Sequence, residues 1–216
     1  MVQKATSVWF SRVLFESMLI TISILAALAL DEWREERQDL EMVDLALSNF
    51  LLEIRQNKAR IDDAAPFNTG LRDVLRNRDA TGDIDSIDEF VSIVESYTPG
   101  VLQVTAWETA LATGALAKME YNLVSALSLT YSMQGRYQLA VQSGAAELTS
   151  PQNLAQGNLQ LAVFNSIRYL NEMTRIEAEL AAIYDEAASV IVRARQKMRG
   201  EAAADDEAAQ TALSPR

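Results

Sequence analysis

The chain has 216 residues, a formal net charge of −11, and neither Cys nor His. That length leaves room for one domain plus an anchor and a tail, while the composition excludes thiol nucleophiles, disulfides, Cys/His zinc sites, haem ligation through His and Ser-His-Asp triads. The acidic excess lies wholly beyond residue 30, and no window clusters Lys and Arg as a phosphate backbone requires, so no nucleic acid is expected as a partner.

The four prolines and eight glycines fall mostly between long periodic segments. That distribution predicts an all-α protein, because no stretch alternates apolar and polar residues long enough for a sheet.

Residues 17–30 carry no formal charge. They make about 21 Å of helix at ~1.5 Å per residue, short of the roughly 20 residues that cross the hydrocarbon core. Extending back to Phe10 makes up the length but takes in Arg12 and Glu16. These two are four apart and can pair along a helix, and Arg12 can snorkel to the headgroups. Trp9 and Trp33 bracket the segment as interfacial aromatics do.

A cleaved signal is the competing reading, with Lys4 and Arg12 as its basic start and Ala27-Leu28-Ala29 as its cleavage site. Glu16 against the apolar run, and a helical pattern unbroken through Asp31, favour a retained transmembrane helix. Within it Glu16 is an ionisable group at a costly depth, or an interfacial partner of Arg12. Ser17 with Thr21 and Ser23 with Ala27 are small pairs four apart, which admit a second helix at close range. Lys4 and Arg12 before the span balance Arg34 and Arg37 after it. The short basic N-terminus then favours an N-inside orientation with the domain in the periplasm.

From Trp33 a heptad runs through Leu40, Val43, Leu47, Phe50, Ile54, Asn57 and Ile61. The anchor (residues 1–30) is therefore expected to continue as a stalk helix (31–66), closed by Pro66. Asn57 is expected to fix the register of this seam at a cost in stability, so that Asn57→Leu would raise the melting temperature. The seam's partner is either a second copy or another helix of the chain.

Residues 67–199 are expected to form an antiparallel helical bundle. Ser86-x-x-Glu89 and Thr105-x-x-Glu108 read as capping boxes and Gly114 as a helix stop. A helix over about 116–142 would present Leu116, Met119, Leu123, Leu127 and Tyr131. Trp107, Tyr121, Tyr131 and Tyr137 are expected in the core. The last long helix should begin at Ser150-Pro151 and bury Met173, Ile176, Leu180, Ile183, Ala187 and Val190. Gly200 should end it, leaving an acidic, disordered tail over 200–216.

The segment NRDATGDIDSID, residues 77–88, has the oxygen spacing of an EF-hand loop. Asn77, Asp79, Thr81, Asp85 and Asp88 stand at positions one, three, five, nine and twelve, with Gly82 at six. Asn at position one, Thr at five and the short Asp88 depart from that pattern. The competing reading is an Asp-rich turn closed by the Ser86 cap. No cofactor is expected unless this loop holds calcium.

The exit ALALDEWREER and the later WETALATGALAKMEYNLVSALSLTY, with Gly114 seven residues after Trp107, carry a resemblance. Over roughly residues 12–140 the chain resembles an uncharacterised bacterial family with one N-terminal span followed by a helical domain. The resemblance implies a single-pass protein of the inner membrane and brings no activity with it.

The expected function is thus a membrane-anchored interaction or accessory subunit without enzymatic activity. It would meet a protein partner or a second copy through the transmembrane and stalk helices. The alternative is a periplasmic ligand- or calcium-sensing helical module.

Overall fold

The structure, a computed structural model, describes residues 3–148 and 157–213. Among these it is all-helical, without a strand: α1 (Gln3–Thr81), α2 (Ile87–Val94), α3 (Thr105–Ala112), a 3-10 turn at Ala115–Lys118, α4 (Tyr121–Leu148) and α5 (Leu159–Leu213). The chain divides into two compact units, Met1–Asp44 and Leu45–Arg216, and α1 contributes to both.

In the first unit every side chain from Leu14 to Gln38 is exposed. Leu40, expected on the seam, is exposed as well, whereas Val43 is buried. In the second unit the seam is real. Leu47, Phe50, Ile54, Asn57 and Ile61 are buried on one face of α1, and the same three-and-four spacing continues through Asn68, Leu71 and Leu75.

That continuation passes the expected stop, because Pro66 lies inside α1. A proline removes one helical hydrogen bond and costs ~3 kcal/mol. Here Pro66 and Asp62, whose carbonyl loses its donor, both sit on the exposed face, so water can serve that carbonyl. Buried residues on either side keep the helix going. Its true stop is Gly82, at φ 70. The Gly82 amide donates to Asp79 O (3.3 Å) and the Asp83 amide to Arg78 O (2.9 Å), the paired bonds of a Schellman cap.

Two of the predicted caps form. Ser86 Oγ accepts from the Glu89 amide at 3.2 Å and opens α2. Gly114, at φ 76, follows Thr113, the C-cap of α3, as expected. The box at Thr105 and Glu108 does not form. The N-cap is Val104, without a side-chain bond, and the α3 amide at Ala106 instead donates to Glu53 Oε2 of α1 at 2.9 Å. Because this helix end is buried against α1, a carboxylate from another element can supply the acceptor and the favourable charge.

Side-chain pairings define the topology. Glu53 meets Tyr131 and Asn57 meets Gln134, so α1 and α4 run parallel. Lys58 meets Asp185 and Asn68 meets Glu177, so α5 is antiparallel to α1. Gln134 with Tyr184 and Gly144 with Tyr169 make it antiparallel to α4 as well. The short elements between Gly82 and Glu120 return the chain so that α4 can run in the same direction as α1. Near the far end of α4, a Cβ added at Gly144 would fall inside the Tyr169 ring, so that crossing depends on a residue without a side chain.

Several core expectations shift by one position. Tyr131 and Tyr137 are buried, but Tyr121 is 84% exposed, because it starts α4 at the edge of the bundle. On α5, Met173, Ile176, Leu180 and Ala187 are buried, with Tyr184 and Ile191 in place of Ile183 and Val190. The expected start at Ser150-Pro151 lies outside the described residues. Gly200 does not end α5, which continues to Leu213. One glycine costs only ~1 kcal/mol in a helix, and the alanines that follow are the strongest helix formers.

Leu47 is fully buried while Leu45, two residues away, is 64% exposed. Leu47→Asp is therefore expected to destabilise the protein by more than ~3 kcal/mol, whereas Leu45→Asp should stay within ~0.5 kcal/mol. Thermal melting of both variants in mild detergent checks this contrast.

Candidate functional site

Two features of the chain lie outside ordinary core packing. The first is the apolar part of α1. This helix contains an 18-residue stretch long and apolar enough to cross a membrane, and none of it is buried. Exposure is similar around the whole circumference, from Phe15 (65%) and Ile20 (62%) to Leu25 (60%) and Leu28 (60%). Glu16, Ser17, Thr21, Ser23 and Ala27 are all exposed on it. The Thr21 hydroxyl donates to Ser17 O (2.9 Å) and the Ser23 hydroxyl to Leu19 O (2.8 Å), so neither donor is left without an acceptor. Trp33, 53% exposed, carries the Arg37 guanidinium 5.3 Å from its ring centre, a cation–π contact. Trp9 and Arg12 belong to α1, but their side chains lie outside what the structure describes.

The second feature is a pair of polar layers inside the Leu45–Arg216 unit. In the first layer Asn57 uses its full hydrogen-bonding capacity. Its Nδ2 donates to Gln103 O (2.8 Å) and Gln134 Oε1 (3.1 Å), while its Oδ1 accepts from the Gln103 amide (2.9 Å) and Arg60 Nη1 (3.1 Å). Gln134 in turn donates to Gln103 O (2.6 Å) and accepts from Tyr184 (2.7 Å). One turn earlier, Glu53 Oε1 accepts from Tyr131 (2.7 Å) while its other oxygen caps α3. Burial first, then the Glu53 hydrogen bond, raise the Tyr131 hydroxyl above its ordinary range and keep it a donor. Phe50 lies edge-on to Tyr131 with ring centres 5.8 Å apart, and Trp107 sits 5.4 Å from the same ring.

The second layer joins Asn68 of α1 to Glu177 of α5 through Asn68 Nδ2 and Glu177 Oε1, at 2.7 Å. Both side chains are fully buried. Tyr97 and Tyr169 stand beside them, their hydroxyls bonded to each other at 2.9 Å. Burial raises Tyr97, Tyr137 and Tyr169 above the usual phenol range, so all three stay neutral. Burial also pushes the Glu177 carboxyl up to about 7, and its bond to Asn68 opposes that rise.

The anticipated calcium loop does not take shape as a loop. Asn77, Asp79 and Thr81 belong to α1, and Gly82 is its capping residue. The Thr81 hydroxyl bonds to Asn77 O and Asp83 Oδ2, while Asp85 and Asp88 flank the start of α2. A sequence that encodes a helix stop followed by a helix start holds these oxygens along a helix instead of around one centre. Among the described residues no group of three or more acidic side chains gathers to hold a metal.

Sequence reasoning placed Asn57 on the seam but missed its partners, because Gln103 and Gln134 are distant along the chain. It also missed Glu53, Asn68 and Glu177. A signal for two of these was present. Leu170, Met173, Glu177, Leu180, Tyr184, Ala187 and Ile191 form a three-and-four repeat on α5, as Ile61, Asn68, Leu71 and Leu75 do on α1. The α5 repeat has one charged member, Glu177, and it meets Asn68, one of the two polar members of the α1 repeat.

No known family model, characterised protein or solved structure matches the chain.

The network reverses the effect expected of Asn57. Leu at this position would leave the Gln103 amide without an acceptor and Gln134 without one of its partners. Asn57→Leu is therefore expected to destabilise by ~2–4 kcal/mol. Chemical unfolding of parent and variant checks the sign, and an unchanged or raised midpoint would contradict the network.

Proposed function

We propose that the chain is a single-span membrane protein whose helical unit, Leu45–Arg216, binds other protein chains and performs no catalysis. The observation that carries this reading is the apolar stretch of α1, exposed on every side while the rest of the chain builds its own core. A helix apolar all round needs an apolar solvent, and lipid supplies one.

The proposed membrane is the bacterial inner membrane, with the helical unit in the periplasm. The short basic N-terminus supports that choice. The face bearing Ser17 and Thr21 would receive a second span, from another copy or another subunit, while Ser23 and Ala27 offer a second small strip roughly 120° around the helix. The Thr21 and Ser23 hydroxyls bond to their own helix, so close approach strands neither donor. Both buried carboxyls among the described residues, Glu53 and Glu177, bond to groups of neighbouring elements. Binding and positioning, with no reaction, fits that use of the acidic residues.

Two measurements test this. The full chain is expected to stay in the membrane pellet through a carbonate wash with its intact mass, and release by the wash would reject the anchor. Thr21→Leu should insert normally yet weaken association in mild detergent, because it fills the small-residue face. An unchanged apparent mass would remove that face as the contact.

A further inference from the structure

The Asn68–Glu177 pair contains one hydrogen bond and two buried atoms, Asn68 Oδ1 and Glu177 Oε2, that have no partner. Each orphan is an acceptor while Glu177 is ionised. Turning the amide over does not help, since it would set Asn68 Oδ1 against Glu177 Oε1 at the same 2.7 Å, two acceptors in contact. In either orientation the pair lacks one hydrogen.

We propose that Glu177 carries that hydrogen in the folded protein, its carboxylic acid O–H donating to Asn68 Oδ1, and that this proton makes the α1–α5 seam a pH-sensitive latch. The acid and the amide then form a closed pair, with one bond in each direction, and neither residue keeps an orphaned atom.

The surroundings favour the neutral form. Among the described residues Asn68 is the sole hydrogen-bond partner of Glu177. The ionisable groups facing it are tyrosines: Tyr97 from the segment after α2, Tyr137 from α4, and Tyr169 from α5 itself. Among the described residues no cation pairs with it. Arg72, the nearby cation of α1, is turned to Thr174 (3.3 Å) and Asp73 (2.8 Å), and Arg175 to Glu172 and Glu179. An unpaired carboxylate in such a site is costly, and taking up a proton relieves the cost.

The direction of the pH effect follows. In the unfolded chain the carboxyl ionises near 4.5, and in the fold burial moves it to about 7. Folding therefore binds a proton between those values. The stability from this pair is complete below about 4.5, falls as pH rises to about 7, and stays low above that.

The test compares the parent chain with Glu177→Gln in detergent, because Gln reproduces the neutral acid and can donate to Asn68 Oδ1. Thermal melts at about pH 5 and about pH 8 should show the parent losing stability relative to the variant, by roughly tenfold or more in the folding equilibrium. The infrared spectrum of the parent near pH 6 should contain the carbonyl stretch of a buried carboxylic acid, and the variant should lack it. If both proteins respond equally to pH and no such band exists, Glu177 is ionised and a water or cation serves the orphaned oxygens. Failure of the variant to fold would also overturn the proposal, since a neutral amide must then be unable to replace the group.

Discussion

Between α2 and α3 the chain runs without regular structure against the seam of α1, and its polar backbone must be satisfied there. Asn57 makes two of these bonds. Its amide pairs with both the N–H and the C=O of Gln103, as a neighbouring strand would. Tyr137 accepts from the Gly100 amide (2.8 Å), and Gln138 donates to Leu102 O (3.2 Å). Glu53 then receives the first turn of α3. This irregular stretch is what lets α4 run parallel to α1, so its attachment underlies the arrangement of the helices around it.

The seam thus alternates in chemistry. Apolar levels at Phe50 and Ile61 flank the Asn57 layer, and Asn68 with Glu177 precedes a second apolar group built from Leu71, Leu75, Phe90, Val94, Leu170 and Val163. Apolar packing supplies the favourable free energy of burial but tolerates sliding by a turn. Polar layers do not, because a shift leaves buried groups unpaired. Each layer joins residues far apart along the chain: Asn57 to Gln134 at 77 positions, Asn68 to Glu177 at 109. They therefore select one pairing of helices from those that an apolar seam alone would allow.

Helical periodicity made the class of fold legible in the sequence, along with the apolar N-terminal helix and the seam from Leu47 to Ile61. The caps at Ser86 and Gly114 were legible because each depends on residues close in sequence. Pro66 and Gly200 misled as stops, since local propensity costs a few kcal/mol at most and buried contacts or a run of alanines can outweigh it. The oxygen spacing over 77–88 misled for a related reason. The same residues suit a helix end and a helix start, and spacing alone does not say which backbone will form. The polar layers were the least legible part. Asn57 looks like a register device because its neighbours on α1 are apolar, and its true partners arrive only through the tertiary fold. Glu177 could have been noticed as the one charge in an otherwise apolar repeat.

The claim that side chains of α1 and α4 hold the irregular segment as part of the core can be read at single residues. Amide hydrogen exchange of the full chain in detergent should show the Gly100, Gln103 and Ala106 amides protected to the same degree as amides at Ile54 and Ile61 in α1, all opening together. Exchange of Gly100 and Gln103 at the rate of an open loop, with α1 still protected, would contradict the account. It would mean that the segment only rests on the seam.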